Sequence, residues 1–240
     1  VGIFFFRSII FPQLPYFEHQ VLLSNYQFCM LIEKMGRAAL LLTTFAVLGG
    51  GLVAFSFHQT YQQIKYNERM TLLRTLNALV PYELYDNDLF NDTTTILNEA
   101  LLGIDEPVTI YRARKEGQAI AAVLTPVAPD GYSGRIYLLV AINYEGILIG
   151  VRVLSHQETP GLGDKIELRR SNWILGFNGR SLINPKAPDW KVKRDDGVFD
   201  QLTSATITPR AIVKAVYKTL LFYQQYRDEI FEENKDKGET

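Results

Sequence analysis

The sequence predicts an α+β chain: one N-terminal transmembrane helix, then a globular domain with a mainly antiparallel sheet and flanking helices. Three observations carry this. Residues 38–57, AALLLTTFAVLGGGLVAFSF, hold no charge. Residues 108–154 hold β-rich runs separated by turn signals. Near the C-terminus a hydroxyl-rich stretch, Asp200-Gln-Leu-Thr203-Ser204-Ala205-Thr206-Ile-Thr208-Pro209-Arg210, runs straight into an apolar, helix-like segment.

The uncharged run comes first. At about 1.5 Å rise per residue, a helix over 38–57 spans a hydrocarbon core of about 30 Å. Gly49-Gly50-Gly51 would weaken such a helix in water but is tolerated in a membrane span. The run exceeds the roughly 7–15 apolar residues of a signal peptide, and no A-x-A site follows it. Lys34 and Arg37 flank it closely on the N-terminal side, whereas Lys65, Arg69 and Arg74 lie further off on the other. The positive-inside rule then leans slightly towards an inside N-terminus. Residues 1–29 are aromatic-rich and broken by Pro12 and Pro15, too short and interrupted for a second span. They are expected to be an untranslated upstream extension, with Met30 or Met35 as the natural start.

Beyond the span, Ile64, Leu72, Leu73, Leu76 and Leu79 keep helical spacing over 60–80, and Pro81 ends the pattern. Residues 82–106 are acidic and irregular. Strands are predicted over 108–113, 119–127, 136–142 and 147–154, split by Glu116-Gly117, Pro129-Asp130-Gly131 and Asn143-Tyr144-Glu145-Gly146. An antiparallel meander follows from those short turns, and the last two strands are apolar enough to be covered on both faces. Residues 155–165, with Gly161 and Gly163, form a shaped loop, glycine permitting positive φ or close approach to the backbone. A helix carrying Trp173 is predicted over 165–177, a short strand over 190–193 and a turn at Asp195-Asp196-Gly197. The last helix runs from Pro209 to about Phe231, with Thr208 as its N-cap. The expected organisation is an unassigned extension at 1–29, an anchor at 30–58, a helical connector at 59–106, a domain at 107–232 and a polar tail at 233–240.

Composition narrows the chemistry. The 25 basic and 26 acidic residues balance, so no nucleic-acid footprint is expected. Cys29 is the single cysteine, which excludes an internal disulfide, a cysteine-only zinc site and an iron–sulfur cluster held by this chain alone. His19, His58 and His156 are too scattered for a metal motif. There is no zincin pattern, nucleophile elbow, Walker A loop or dinucleotide fingerprint, so neither metal ligands nor catalytic residues are assigned. A redox role would need an organic cofactor, haem or a companion protein. The hydroxyl cluster has two readings: a plain helix cap, or a phosphate seat at the positive end of a helix dipole. Trp173, Trp190, Tyr132 and Phe199 are candidate neighbours for a planar ring, or core.

Taken in order, three stretches carry a resemblance: Ala128-Pro-Asp-Gly-Tyr-Ser-Gly134, His156-Gln-Glu-Thr-Pro-Gly-Leu-Gly-Asp-Lys-Ile-Glu167 with Trp173, and Phe199-Asp-Gln-Leu-Thr-Ser-Ala-Thr-Ile-Thr-Pro-Arg210. The chain resembles the RnfG family, the G-type component of Rnf-type (Rsx) electron transport complexes. More distantly, it is similar to the C-type component of the sodium-pumping NADH:quinone reductase. That resemblance implies an FMN-binding domain with covalent FMN, joined through its phosphate to a threonine of an S/T-G-A-T motif. Thr206 matches that threonine, and Ser204 stands where glycine is common. The implied cofactor-binding residues are Thr206 (the ester), Thr203, Ser204, Ala205 and Thr208, with His156, Glu158, Thr159, Gly161, Leu162 and Gly163 beside the ring.

The resemblance also implies a non-autonomous redox subunit of a translocase, a flavoprotein that relays electrons during ion transport. Its implied partners are the other subunits of the complex, a flavin transferase using FAD as donor, and the lipid bilayer. Its implied place is the bacterial inner membrane, single-pass, with the C-terminal domain periplasmic. Asp200 is expected to belong to the transferase's recognition sequence. Two other readings stand beside it: a membrane-anchored periplasmic binding or assembly module with no flavin, and a hydrolase using His156 and Asp164.

Overall fold

Each predicted strand carries β-branched residues and is bounded by turn residues, and most of the sheet forms from those runs. The computed structural model describes residues 16–203 and 205–232. Ser204, the polar tail at 233–240 and residues 1–15 of the extension lie outside the described residues. In chain order the elements are α1 (Tyr16–Leu79), β1 (Thr93–Ile96), α2 (Glu99–Leu102), β2 (Val108–Lys115), β3 (Gln118–Leu124), β4 (Val127–Ala128), β5 (Ile136–Asn143), β6 (Leu148–Ser155) and α3 (Ile207–Phe231).

The chain divides into two units, Val1–Tyr66 and Asn67–Thr240. In the first, the described side chains of residues 30–66 are all exposed. The helical stretch Met30–Leu79 is long and apolar enough to cross a membrane.

The second unit holds a six-stranded sheet in which β1, β2, β3, β5 and β6 follow one another as antiparallel neighbours. Period-two alternation sends successive residues to opposite faces, so the sheet carries two cores. On one face Ala122, Leu124, Leu138, Val140 and Ile142 pack with Ile212, Val216 and Phe222 of α3. On the other, Ala121, Val123, Leu139 and Ala141 pack with Leu76, Leu79, Val80 and Leu89. The expectation that β5 is covered on both faces holds. The C-terminal end of α3 is pinned by two arginines of β2. Arg112 donates to the Glu232 carbonyl at 2.8 Å and Arg114 to the Phe231 carbonyl at 2.8 Å, and Asp92 pairs with both guanidiniums. Cations at a helix C-terminus also meet the negative end of its dipole.

The structure departs from the sequence reading in several places. The short strand expected over 190–193 is a single bridge, Val192↔Phe199, leading into the 3-10 turn Lys193–Asp195. The stretch read as a helical connector, 59–106, contains β1 and α2, and β1 joins the sheet through Thr94↔Ile110 and its neighbours. The strand expected over 119–127 breaks after Leu124, because Pro126 has no N–H for the ladder; β4 resumes the pairing with Val127↔Tyr137. The helix expected over 165–177 is two 3-10 turns, Asp164–Ile166 and Trp173–Phe177. Between them the Ser171 hydroxyl donates to the Lys165 carbonyl (2.6 Å) and accepts the Trp173 N–H (3.2 Å), local bonds that compete with a helix. Finally, α3 starts earlier than expected: Thr206 is its N-cap, and Thr208 and Pro209 lie inside its first turn.

Candidate cofactor site

The start of α3 and the loop after β6 form the two walls of a cleft of about 500 Å³. Glu158, Thr159, Leu162 and Gly163 line one wall, Ala205, Thr206, Ile207 and Thr208 the other, and Tyr132 stands at the edge. Apolar groups dominate its rim: Tyr132, Leu162 and Ile207 are 69%, 43% and 46% exposed.

The loop wall is held from within. His156 accepts the Glu158 N–H at Nδ1 (3.0 Å), and its Nε2 meets Glu167 Oε1 at 2.9 Å. With Nδ1 accepting, Nε2 carries the proton and donates to the carboxylate. The Arg169 guanidinium beside Glu167, and then His156, hold the Glu167 carboxyl below the usual carboxylate range. Gly161 has φ 79°, which lets the chain turn back so that its N–H reaches Asp164 Oδ1 at 2.8 Å. Gly163 is required for close approach, since a Cβ there would sit 2.9 Å from Glu158 Oε2.

Glu158 joins the walls. It is 4% exposed; Oε1 accepts the Ser133 N–H at 3.0 Å, and Oε2 accepts the Thr208 hydroxyl. Thr208 is therefore spent on a residue 50 positions away instead of on the helix cap.

Thr206 is free for other work, because as N-cap its side chain makes no capping hydrogen bond. The N–H groups of Ile207 and Thr208, in the first turn, have no acceptor within the helix, and Pro209 offers none. Arg194 Nη1 lies 3.5 Å from Thr206 Oγ1. It is brought there by the 3-10 turn Lys193–Asp195, which the left-handed Asp196 ends at φ 62°. Next to it, Asp195 pairs with Arg210 of α3 through both guanidinium donors, tying turn to helix; that pairing lowers the Asp195 carboxyl.

Of the sequence-predicted site residues, Thr206, Ala205, Thr208, Glu158, Thr159, Leu162 and Gly163 come together at the cleft. Thr203, His156 and Gly161 do not line it, and Ser204 lies outside the described residues. His156 and Gly161 instead shape the loop, and both ring nitrogens of His156 are occupied. No pair of His156 with Asp164 forms, since Asp164 faces Arg170 and the Gly161 amide. Among the candidate ring neighbours, Trp190 and Phe199 are buried in an aromatic cluster around Phe177, against which Trp173 packs edge-on. Tyr132 alone of the four lines the cleft. Sequence reasoning missed Arg194 and Ile207. Ile207 had a signal, an apolar residue set between hydroxyls; Arg194 had none, being one cation in a basic run.

The cleft combines an unspent hydroxyl, a guanidinium, helix-start amides and an apolar rim, a donor set that fits a phosphate carrying an aromatic group. Comparison with known families points the same way. Residues 131–221 match the FMN-binding domain, and residues 30–79 match the RnfG N-terminal region. The G-type component of the ion-translocating oxidoreductase complex of Pseudoalteromonas atlantica is 46% identical over 199 residues, covering 83% of this chain and 93% of that protein. The corresponding protein of Vibrio cholerae is 44% identical over 200 residues (83% and 95%), and that of Shewanella loihica 48% over 185 (77% and 87%). The chain belongs to the RnfG family. The FMN-binding domain match contains both walls of the cleft, and the RnfG N-terminal match contains the uncharged span.

Proposed function

We propose that this chain is the membrane-anchored flavoprotein subunit of an ion-translocating electron transport complex, relaying electrons through FMN esterified by its phosphate to Thr206. The observation that carries the reading is the state of Thr206: an N-cap hydroxyl without a capping bond, at the cleft, 3.5 Å from a guanidinium. Arg194 and the Ile207 and Thr208 amides would hold the phosphate, and Tyr132, Leu162 and Ile207 would flank the ring. When bound, FMN supplies the ability to accept and release single electrons, and the protein's part is to orient it and set its surroundings.

A threonine hydroxyl is a weak nucleophile without an adjacent base or metal, and neither histidine nor cysteine lines the cleft among the described residues. Attachment therefore calls for a transferase with FAD as donor. The Thr206 oxygen bonds to the flavin-side phosphorus, the P–O–P anhydride breaks, AMP leaves, and the hydroxyl proton is lost. Asp200, 71% exposed at its side chain and paired with Lys193, is accessible for recognition by that enzyme. The span suits the bacterial inner membrane, and the lean from Lys34 and Arg37 favours a periplasmic domain.

The test is coexpression with a flavin transferase, followed by a denaturing gel and intact mass. The wild type is expected to fluoresce and to carry one FMN increment, and Thr206→Val to lose both. Fluorescence that survives in Thr206→Val would falsify this attachment site. A wild type without any flavin would favour the assembly-module reading.

A further inference from the structure

We propose that Glu158 sets the reduction potential of the group held in the cleft, keeping it low with an uncompensated negative charge. This rests on the reading above, that FMN occupies the cleft, and adds to it what governs its electron affinity.

The hydrogen bonds are those of a carboxylate acceptor. Both Glu158 oxygens accept: one from the Ser133 N–H at 3.0 Å, the other from the Thr208 hydroxyl. Two donors at two oxygens suit a carboxylate, which is an acceptor at both. Both donors are neutral, and among the described residues no cation forms an ion pair with Glu158. The carboxylates in neighbouring segments behave differently. Asp164 faces Arg170, Glu167 faces Arg169 and His156, Asp195 faces Arg210, and Asp200 faces Lys193. Among the described residues Glu158 is thus the one acidic side chain of the cleft wall, buried and without an ion-pair partner.

Burial decides how far that charge acts. In a low-dielectric surrounding a fixed charge interacts several times more strongly than in water, and salt screens it little. Adding an electron beside Glu158 is therefore opposed. The cation of the site, Arg194, is exposed, so solvent weakens its compensation. It stands at Thr206, the phosphate end, whereas Glu158 is bonded across to Thr208, two residues further into the helix. The cleft is thus polarised, positive at the attachment point and negative at the buried wall. A Cβ at Gly163 would sit 2.9 Å from Glu158 Oε2, so glycine leaves the room that the carboxylate occupies.

Redox titration of the full-length, flavin-loaded protein in detergent at pH 8, with flavin content read by mass, tests this. In Glu158→Gln the side chain keeps its shape, and the Thr208 hydroxyl can accept where it now donates. The midpoint is expected to rise with flavin content unchanged. Thr208→Val removes a dipole whose positive end offsets the carboxylate, so its midpoint is expected to fall. Opposite shifts in the two variants are the signature of charge; a packing defect would not reverse sign between them. If Glu158→Gln does not fold, the direction in Thr208→Val decides alone. An unmoved or lowered midpoint in Glu158→Gln, or an unmoved or raised one in Thr208→Val, overturns the proposal while leaving the flavin reading standing. A wild type that takes up no FMN overturns both.

Discussion

Two long helices of this chain dispose of apolar surface in opposite ways. α3 buries twelve of its residues, among them Ile212, Val216, Leu220 and Phe222, while Lys214 and Lys218 face outwards to Asp130 and the Ala100 carbonyl. Residues 38–57 of α1 carry Leu40, Leu41, Phe45, Leu48, Leu52 and Phe55, all more than half exposed, with no polar face opposite them. A helix apolar all round needs an apolar solvent on every side, whereas a one-sided helix needs only a core. The comparison separates hydrophobicity that specifies a fold from hydrophobicity that specifies an environment. The same helix α1 makes the change itself: from Leu72 onwards its apolar positions return to helical spacing, and Leu76 and Leu79 are buried.

The comparison breaks first at Phe222. Its side chain is fully buried and stacks on Tyr226 at 4.7 Å. Phe222→Ala should cost the domain about 3–5 kcal/mol, read by urea unfolding. Leu48→Ala in the span should leave the same transition where it is. Equal losses in both would mean that the span is part of the folded core after all.

Next comes the span itself. Leu48 lies near the middle of the uncharged run. Leu48→Arg puts a charge at the helix centre at a cost of about 2.5–3.5 kcal/mol for insertion. Carbonate-washed membranes should then hold much less of the protein, with the unfolding of the domain unchanged. Full retention would show that something other than hydrocarbon contact anchors the chain.

How much of this was legible depends on whether the signal was local. β2, β3, β5 and β6 were, because each is a run of apolar residues bounded by its own turn. β1 was not: Thr93-Thr94-Thr95 sits in an acidic stretch, and only pairing with Thr109, Ile110 and Tyr111 makes it a strand. At the site, Thr206 was legible through its neighbours in sequence. The role of Thr208 was not, since the Pro209 cue for a cap is local and the Glu158 partner is distant. Arg194 reaches Thr206 through a left-handed turn at Asp196, which composition cannot foresee.

Thr208 sharpens the comparison within α3, where a buried polar residue stands among buried apolar ones. It is 1% exposed, and its hydroxyl is committed to a carboxylate. Thr208→Val keeps the volume and removes the donor. A hydrogen bond to a charged group contributes about 1.5–3 kcal/mol, so the loss should stay below that of Phe222→Ala. A neutral or stabilising effect would mean that the Glu158 contact does not join the two walls.

The smallest effect concerns the loop wall, and it depends on pH. Glu167 is held below the ordinary carboxylate range, first by the Arg169 guanidinium and then by His156. A carboxyl with a lowered folded-state value binds fewer protons when folded than when unfolded. Its contribution is therefore full above the unfolded value, near about 4.3, and is lost as pH falls through the lower folded value. Glu167→Gln should lower the melting temperature at neutral pH by less than Thr208→Val does, because Arg169 is largely in solvent. Once the pH is below the lowered folded value the two proteins should converge, as the wild-type carboxyl takes up its proton. Since His156 also holds the Glu158 amide, the neutral-pH deficit should appear as faster hydrogen exchange in residues 156–164 before it appears in α3. A uniform increase over both segments would place the loop inside the cooperative core instead of at its edge.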